Sequence, residues 1–241
     1  MCERRLARLR YQFVDCRWEL GRPGLGRALY REAHIPGASF LDVDDDLADR
    51  SIAGHGRHPL PSAERFAATA ENAGIGEGVF VVAYGSMGGA ERLWWLLRHF
   101  GHDESAVLLG GVASWGGDLR AGDERVEPAT FTPSERAGDT IDADEILSRD
   151  DLVVVDSRLE SRWRGEPNAI DQIPGRIPGA LNAPWNELVP ELPQGDVAAY
   201  CGSGVTSCVT IHRLWLRGRD ARLYPGSWSQ WETLGLPVER S

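Results

Sequence analysis

The sequence predicts an α/β protein written twice, as two tandem domains that each hold a mostly parallel sheet flanked by helices. Three observations carry this. The chain repeats itself in order, apolar strand-like runs alternate with amphipathic helical ones, and each copy has a Gly-rich junction between a strand and a helix. Asp15-Cys16-Arg17 returns as Asp156-Ser157-Arg158, 141 positions later, and His34-Ile35-Pro36-Gly37-Ala38 returns as Arg176-Ile177-Pro178-Gly179-Ala180, 142 later. Val81-Val82-Ala83-Tyr84 returns as Val197-Ala198-Ala199-Tyr200, 116 from Tyr to Tyr. Order is kept while the spacing shrinks, as in two copies of one domain with a loop lost. The expected boundaries are a first domain over 1–120, a linker over 121–139 rich in Gly, Pro, Thr and acids, and a second domain over 140–241.

Taken in order, the first copy begins by Phe13 with a strand through Val14 and Cys16, followed by the extended Ile-Pro-Gly-Ala segment. Ser62 is placed to cap a helix that shows Phe66, Ala70 and Ala73 on one side and stops at Gly74. Val79 to Tyr84 reads as a buried strand, and Leu93, Leu97 and Phe100 mark a helical stripe that ends at Gly101. In the second copy, Ala198-Ala199-Tyr200 brings the chain out of a sheet and Ser207 to Arg217 reads as a helix. Between them lies Cys201-Gly202-Ser203-Gly204-Val205-Thr206.

That junction is the candidate site. Gly202 and Gly204 let the backbone curl with its N–H groups inward, and the helix that follows puts Cys201 at the positive end of a dipole. Both effects favour a thiolate at neutral pH. The matching loop of the first copy has Gly85 where the second has Cys201, so one copy holds a nucleophile and the other does not. Of the remaining cysteines, Cys208 falls with Ile211 and Trp215 on an apolar helix face, and Cys16 lies in a strand; both are expected in the core.

Composition excludes several classes. The 241 residues carry a net charge of −10, and all 26 basic residues are arginine. Lysine chemistry is therefore ruled out, and a nucleic-acid partner is disfavoured. The cysteine spacing (2, 16, 201, 208) has no metal-binding pattern, so neither a metal nor another cofactor is expected. No apolar run approaches the ~20 residues of a membrane span. The basic start Met1-Cys2-Glu3-Arg4-Arg5 is not followed by an apolar secretory segment, and the expected compartment is the cytoplasm.

The motifs Asp-Cys-Arg-Trp (15–18), His-Ile-Pro-Gly-Ala (34–38), Gly-Arg-His-Pro-Leu-Pro (56–61), Arg-Leu-Trp-Trp (92–95), Asp-Ser-Arg (156–158), Cys-Gly-Ser-Gly-Val-Thr (201–206) and Tyr-Pro-Gly-Ser-Trp (224–228) together resemble the two-domain rhodanese (sulfurtransferase) family over nearly the whole chain. The resemblance implies two rhodanese-like domains, a first domain without the catalytic cysteine, and a Cys201 that carries sulfur as a persulfide. Members with Gly-Ser after the cysteine use 3-mercaptopyruvate, whereas those that use thiosulfate have Arg-Lys there. The resemblance further implies a Ser203–His58–Asp44 arrangement in which an oriented histidine polarises a serine hydroxyl. It assigns substrate binding to Arg162, to the loop residues Gly202, Gly204, Val205 and Thr206, and to Arg176 as a substitute for a second arginine, since Asp171 occupies that arginine's position. The implied partners are a small sulfur donor and a thiol, thioredoxin-like or cyanide acceptor. Two alternatives stay open: a thiosulfate sulfurtransferase, and a persulfide carrier without turnover. A cysteine phosphatase is excluded, because its loop needs an arginine six positions after the cysteine, where this chain has Ser207.

Overall fold

Each half of the sequence forms the same four-stranded sheet. The computed structural model describes residues 10–240, so Cys2 and the basic start fall outside it. The first sheet contains β1 (Arg10–Cys16), β2 (Ser39–Phe40), β3 (Val79–Gly85) and β4 (Ser105–Val107) in the order β2-β1-β3-β4. The second contains β5 (Val153–Asp156), β6 (Leu181–Asn182), β7 (Val197–Tyr200) and β8 (Arg222–Leu223) in the order β6-β5-β7-β8. Every pairing is parallel, with Asp15 opposite Tyr84 in one sheet and Asp156 opposite Tyr200 in the other. In parallel sheets covered on both faces, central strands read as continuous apolar runs. All four residues of β7 are buried accordingly.

Helices α1 (Leu25–Glu32), α2 (Ala63–Asn72) and α3 (Gly89–His99) belong to the first sheet's unit, and α4 (Ala143–Ser148), α5 (Glu160–Trp163), α6 (Ser207–Trp215) and α7 (Ser227–Thr233) to the second's. Ser62 caps α2 through its Oγ, which accepts the Arg65 N–H at 3.2 Å, and Gly74 follows with φ +73°. The last turn of α6 stops at Trp215, two residues short of the expected end. The Gly218 N–H and the Arg219 N–H close back on Trp215 and Leu214, with Gly218 at φ +74°. No helix among the described residues is long and apolar enough to cross a membrane.

The repeat extends to side-chain bonding. Asp15 at the end of β1 pairs with Arg17 at 2.6 Å, and Arg17 goes on to the carbonyls of Leu29 and Ala33. Asp156 at the end of β5 pairs with Arg158 at 2.6 Å, and Arg158 goes on to the Gly175 carbonyl. Tyr84 Oη accepts the Ile35 N–H at 3.2 Å, and Tyr200 Oη accepts the Ile177 N–H at 3.1 Å. Each Ile-Pro-Gly-Ala segment is thus tied to the tyrosine that closes its central strand. Glu124 receives the Gly37 N–H and sits 3.4 Å from His34, while Glu239 receives the Gly179 N–H and pairs with Arg176.

Compact unit boundaries fall elsewhere than composition suggests. The first unit comprises the described residues up to Asp49 together with Pro61–Arg136, and the second comprises Arg50–Leu60 with the described residues from Ala137 onward. The 121–139 stretch has almost no regular structure and is largely exposed, yet it groups with the first unit as far as Arg136. Phe131 is buried edge-on against Phe66, and the Ala129, Ser134 and Arg136 N–H groups bond to Glu71, Phe100 and His99. A Gly/Pro-rich composition hid one buried aromatic anchor. Conversely, the 50–60 segment lies on the start of α7. Gln230 donates to the Gly54 carbonyl at 2.9 Å, Ser229 Oγ accepts the Arg57 N–H at 3.0 Å, and a Cβ on Gly56 would stand 2.5 Å from the Gly226 oxygen.

Replacing Phe131 by Ala should therefore destabilise the first unit by about 3–5 kcal/mol, the usual cost of truncating a buried phenylalanine. Urea unfolding of the full chain reads this directly. A change under ~0.5 kcal/mol, typical of a surface site, would show the segment to be a mere tether.

Candidate active site

Cys201 leaves β7 with its side chain almost wholly buried. Its backbone is held from behind by α7. The Cys201 N–H donates to Ser227 Oγ at 3.1 Å, and the Cys201 and Gly202 carbonyls accept the Trp228 and Ser229 N–H groups, both at 3.0 Å. Turning these carbonyls toward α7 leaves the inner side of the curl to N–H groups. Ser227 makes this possible in a left-handed conformation (φ +51°), uncommon for a residue with a side chain. Its fully buried hydroxyl also donates to the Tyr224 carbonyl at 2.9 Å. Gly204 has φ +79°, and a Cβ there would stand 2.7 Å from the Pro225 oxygen. Val205 is buried, and its carbonyl accepts the Cys208 N–H at 3.1 Å as α6 begins.

The thiol of Cys201 is held below its ordinary value. Burial works against the anion, but the Thr206 hydroxyl, the Ser203 N–H, and the hydroxyl and N–H of Ser207 all favour it. Ser207 Oγ is buried with no hydrogen-bond partner among the described residues, so its hydroxyl is free to turn toward the sulfur. In the first unit, burial and the neighbouring Asp15 push the Cys16 thiol well up, and it is inert by the same logic. Cys208 is core as expected, with its Sγ 3.4 Å from the Gly204 carbonyl that it supports.

His58 and Ser203 come together within the second unit. His58 Nδ1 lies 2.7 Å from Ser203 Oγ, and both residues are buried. The sequence places His58 in the first copy, but the 50–60 segment packs with the second. Asp44 belongs to the first unit, in an acidic turn where its N–H donates to Asp42 Oδ1 at 2.8 Å.

Two guanidinium groups flank the loop. A Cβ on Gly202 would stand 2.8 Å from Arg57 Nη2 and 3.1 Å from Arg162 Nη2, so a glycine is what lets both approach. Arg162, expected from the sequence, is bidentate to Asp171, with Nε to Oδ2 at 2.8 Å and Nη2 to Oδ1 at 2.5 Å. Arg57 was not anticipated as a site residue, although its position beside His58 in Gly-Arg-His-Pro-Leu-Pro was the available signal. Its buried Nε has no hydrogen-bond partner, and burial followed by the charge of Arg162 lowers its pKa. A half-buried cation with this little compensation favours an anion nearby. Arg176 is engaged away from its expected substrate role. Its guanidinium stacks 4.1 Å from the Trp163 ring, donates to the Trp163 carbonyl and pairs with Glu239.

The first unit's loop is closed. A Cβ on Gly85 would stand 2.7 Å from the Cys16 oxygen, and Ser86 Oγ bonds both the N–H and the carbonyl of Trp18. A side chain at the nucleophile's position has no room there.

A family model described as a rhodanese-like domain matches residues 2–118 and again 140–234. SseB of Mycobacterium tuberculosis, provisionally named a thiosulfate sulfurtransferase, is 34% identical over 249 residues, covering 91% of this chain and 87% of its own. A Pseudomonas aeruginosa protein, provisionally named a 3-mercaptopyruvate sulfurtransferase, is 37% identical over 251 residues, covering 91% of this chain and 88% of its own. Among solved structures, SseA from Escherichia coli, described as a 3-mercaptopyruvate sulfotransferase with the rhodanese fold, superposes with a TM-score of 0.79 at 28% identity. That match covers 94% of this chain and 96% of SseA.

Hydrogen bonds to a charged group contribute about 1.5–3 kcal/mol, or roughly one to two pH units. Thr206→Val and Ser207→Ala should each move the midpoint of Cys201 alkylation by iodoacetamide upward by about one pH unit. A midpoint unmoved in both variants would leave the sulfur without these donors.

Proposed function

The chain belongs to the rhodanese family, and from that premise we propose that it moves sulfur from 3-mercaptopyruvate, through a Cys201 persulfide, to a thiol or cyanide acceptor. The observation that carries the reading is a buried cysteine, acidified by four donors, beside a hydroxyl held at 2.7 Å by a histidine.

The Cys201 thiolate attacks the donor's thiol sulfur. The S–S bond forms as the S–C bond breaks, and that electron pair passes to carbon as the enolate of pyruvate. The proton that began on the donor thiol ends on the pyruvate methyl group, so atoms and charge balance. Ser203 Oγ and His58 Nδ1 are the pair suited to move it. The loop N–H groups and the Thr206 and Ser207 hydroxyls receive the persulfide anion as they receive the thiolate. An acceptor thiolate or cyanide then takes the terminal sulfur and returns the Cys201 thiolate, which is a ping-pong cycle.

Donor choice follows charge. The loop contributes no cation, so a donor meets Arg57 and Arg162 from its flanks, and Arg162 is already paired with Asp171. A single carboxylate suits this arrangement better than a dianion. Thiosulfate is the second reading, supported by the unpaired Arg57 Nε and by the relatedness to SseB.

Protein treated with 3-mercaptopyruvate should gain ~32 Da, one sulfur held as a persulfide, and Cys201→Ser should neither gain it nor turn over. His58→Ala should lower kcat on 3-mercaptopyruvate by about 10²–10⁴-fold, the range of general acid–base catalysis, and lower it far less on thiosulfate, whose sulfur leaves without a proton to move. Equal losses on both donors in steady-state assays would make His58 a packing residue only.

A further inference from the structure

Given that reading of the site, we infer that Asp171 sets the charge of the donor the enzyme accepts, by neutralising Arg162 and confining the loop to monoanions. The inference rests on the sulfurtransferase reading and adds a specificity-determining residue to it.

Asp171 is built in. Its side chain is 1% exposed, and its backbone N–H and that of Ile170 are both held at 2.9 Å by Asn168 Oδ1. The next two N–H groups, of Gln172 and Ile173, are held at 2.8 and 3.0 Å by the buried carboxylate of Glu232. The carboxylate of Asp171 thus has a fixed seat, where it meets Arg162 twice, Arg158 Nη1 at 3.3 Å and Asn168 Nδ2 at 3.1 Å. Burial works against its charge, but the Arg162 and Arg158 guanidinium groups outweigh it and hold its carboxyl below the usual range. It is therefore ionised at neutral pH.

This has two consequences at the loop. Asp171 takes the Nε/Nη2 edge of Arg162, leaving the Nη1/Nη2 edge toward Gly202. Arg162 keeps three of its five N–H donors, so it can still hydrogen-bond a donor's oxygens. Asp171 also cancels Arg162's charge. Arg158 is already matched to Asp156, so the formal charges around Gly202 are Arg57 and Arg162 against Asp171, Glu232 and the Cys201 thiolate, which leaves the site one negative charge in excess. A monoanion entering this site raises that excess to two negative charges; a dianion raises it to three, in a buried setting where charges are weakly screened. Removing the Asp171 charge restores a free guanidinium and should favour dianions most.

The test compares 3-mercaptopyruvate with thiosulfate in the full chain, with cyanide as common acceptor. Asp171→Asn should raise the thiosulfate-to-mercaptopyruvate ratio of kcat/KM by about tenfold or more, chiefly through a lower KM for thiosulfate. Asp171→Glu, which keeps the charge, should leave that ratio within about threefold of wild type, as should Arg162→Gln combined with Asp171→Asn, which removes both charges together. A second readout needs no turnover: protection of Cys201 from iodoacetamide by sulfate should strengthen in Asp171→Asn more than protection by acetate. If Asp171→Asn does not fold, Asp171→Ser carries the same expectations. A ratio unmoved in the folded neutral variant, or moved equally in Asp171→Glu, overturns the inference. Absence of any turnover on 3-mercaptopyruvate would instead sink the donor reading, while the protection assay still reports on Asp171.

Discussion

A buried cysteine at the end of a β-strand, its thiol held below the ordinary value, is the constraint around which the second unit is arranged. In water a thiolate is solvated from all sides; at Cys201 the chain must replace that solvation with donors it already owns. Backbone N–H groups are the nearest source, but they turn inward only if the carbonyls of the same loop are satisfied elsewhere. The start of α7 does this, with the Trp228 and Ser229 N–H groups facing the Cys201 and Gly202 carbonyls. The left-handed Ser227 is the local strain that brings α7 close enough. Thr206 and Ser207 then add hydroxyls at the first turn of α6.

The duplicated framework shows what is scaffold and what is site. Both units keep the Asp-x-Arg pair at the end of a strand, the tyrosine that receives the isoleucine N–H, and the glutamate behind the Pro-Gly turn. These features recur with and without a nucleophile, so they serve the fold. Arg176 belongs to this set. Glu239 meets it as Glu124 meets His34, which accounts for an arginine at a position that sequence alone offered to the substrate. What differs between the units is the loop. In the first loop the Cys16 oxygen stands where a Cβ on Gly85 would go, and Ser86 is tied to Trp18.

Features governed by local physics were legible in the sequence: the Ser62 cap, the helix stop at Gly101 (φ +88°), the buried run of β7, and Cys201 at a strand-to-helix loop. The pairing of His58 with Ser203 was legible only through motif resemblance, since 145 positions separate them. Features decided by a single long-range contact escaped. Phe131 fastens an otherwise linker-like stretch, and Gly56 lets the 50–60 segment settle on α7. Asp171 looked like the loss of an arginine, because a one-dimensional reading compares it with what might have stood there rather than with the Arg162 it holds.

The cations of this site come from outside the loop, and Gly202 is the reason they can. In a loop that carries its own arginine and lysine, charge is fixed by the same backbone that must present N–H groups to the sulfur. Here the loop has no cation, and Arg57 and Arg162 reach it from the 50–60 segment and from α5, into space that any side chain at position 202 would contest. Charge and thiolate solvation are thereby separated. On the proposed reading, the backbone of 201–206 stabilises the sulfur and the arginines meet the rest of the donor. A cation on its own segment can also be countered by an acid on another, as Asp171 counters Arg162, without disturbing the curl around Cys201. A thiosulfate-type loop placed into this chain would have to push both guanidinium tips aside before adding charge, so on the proposed reading donor preference is governed from the flanks.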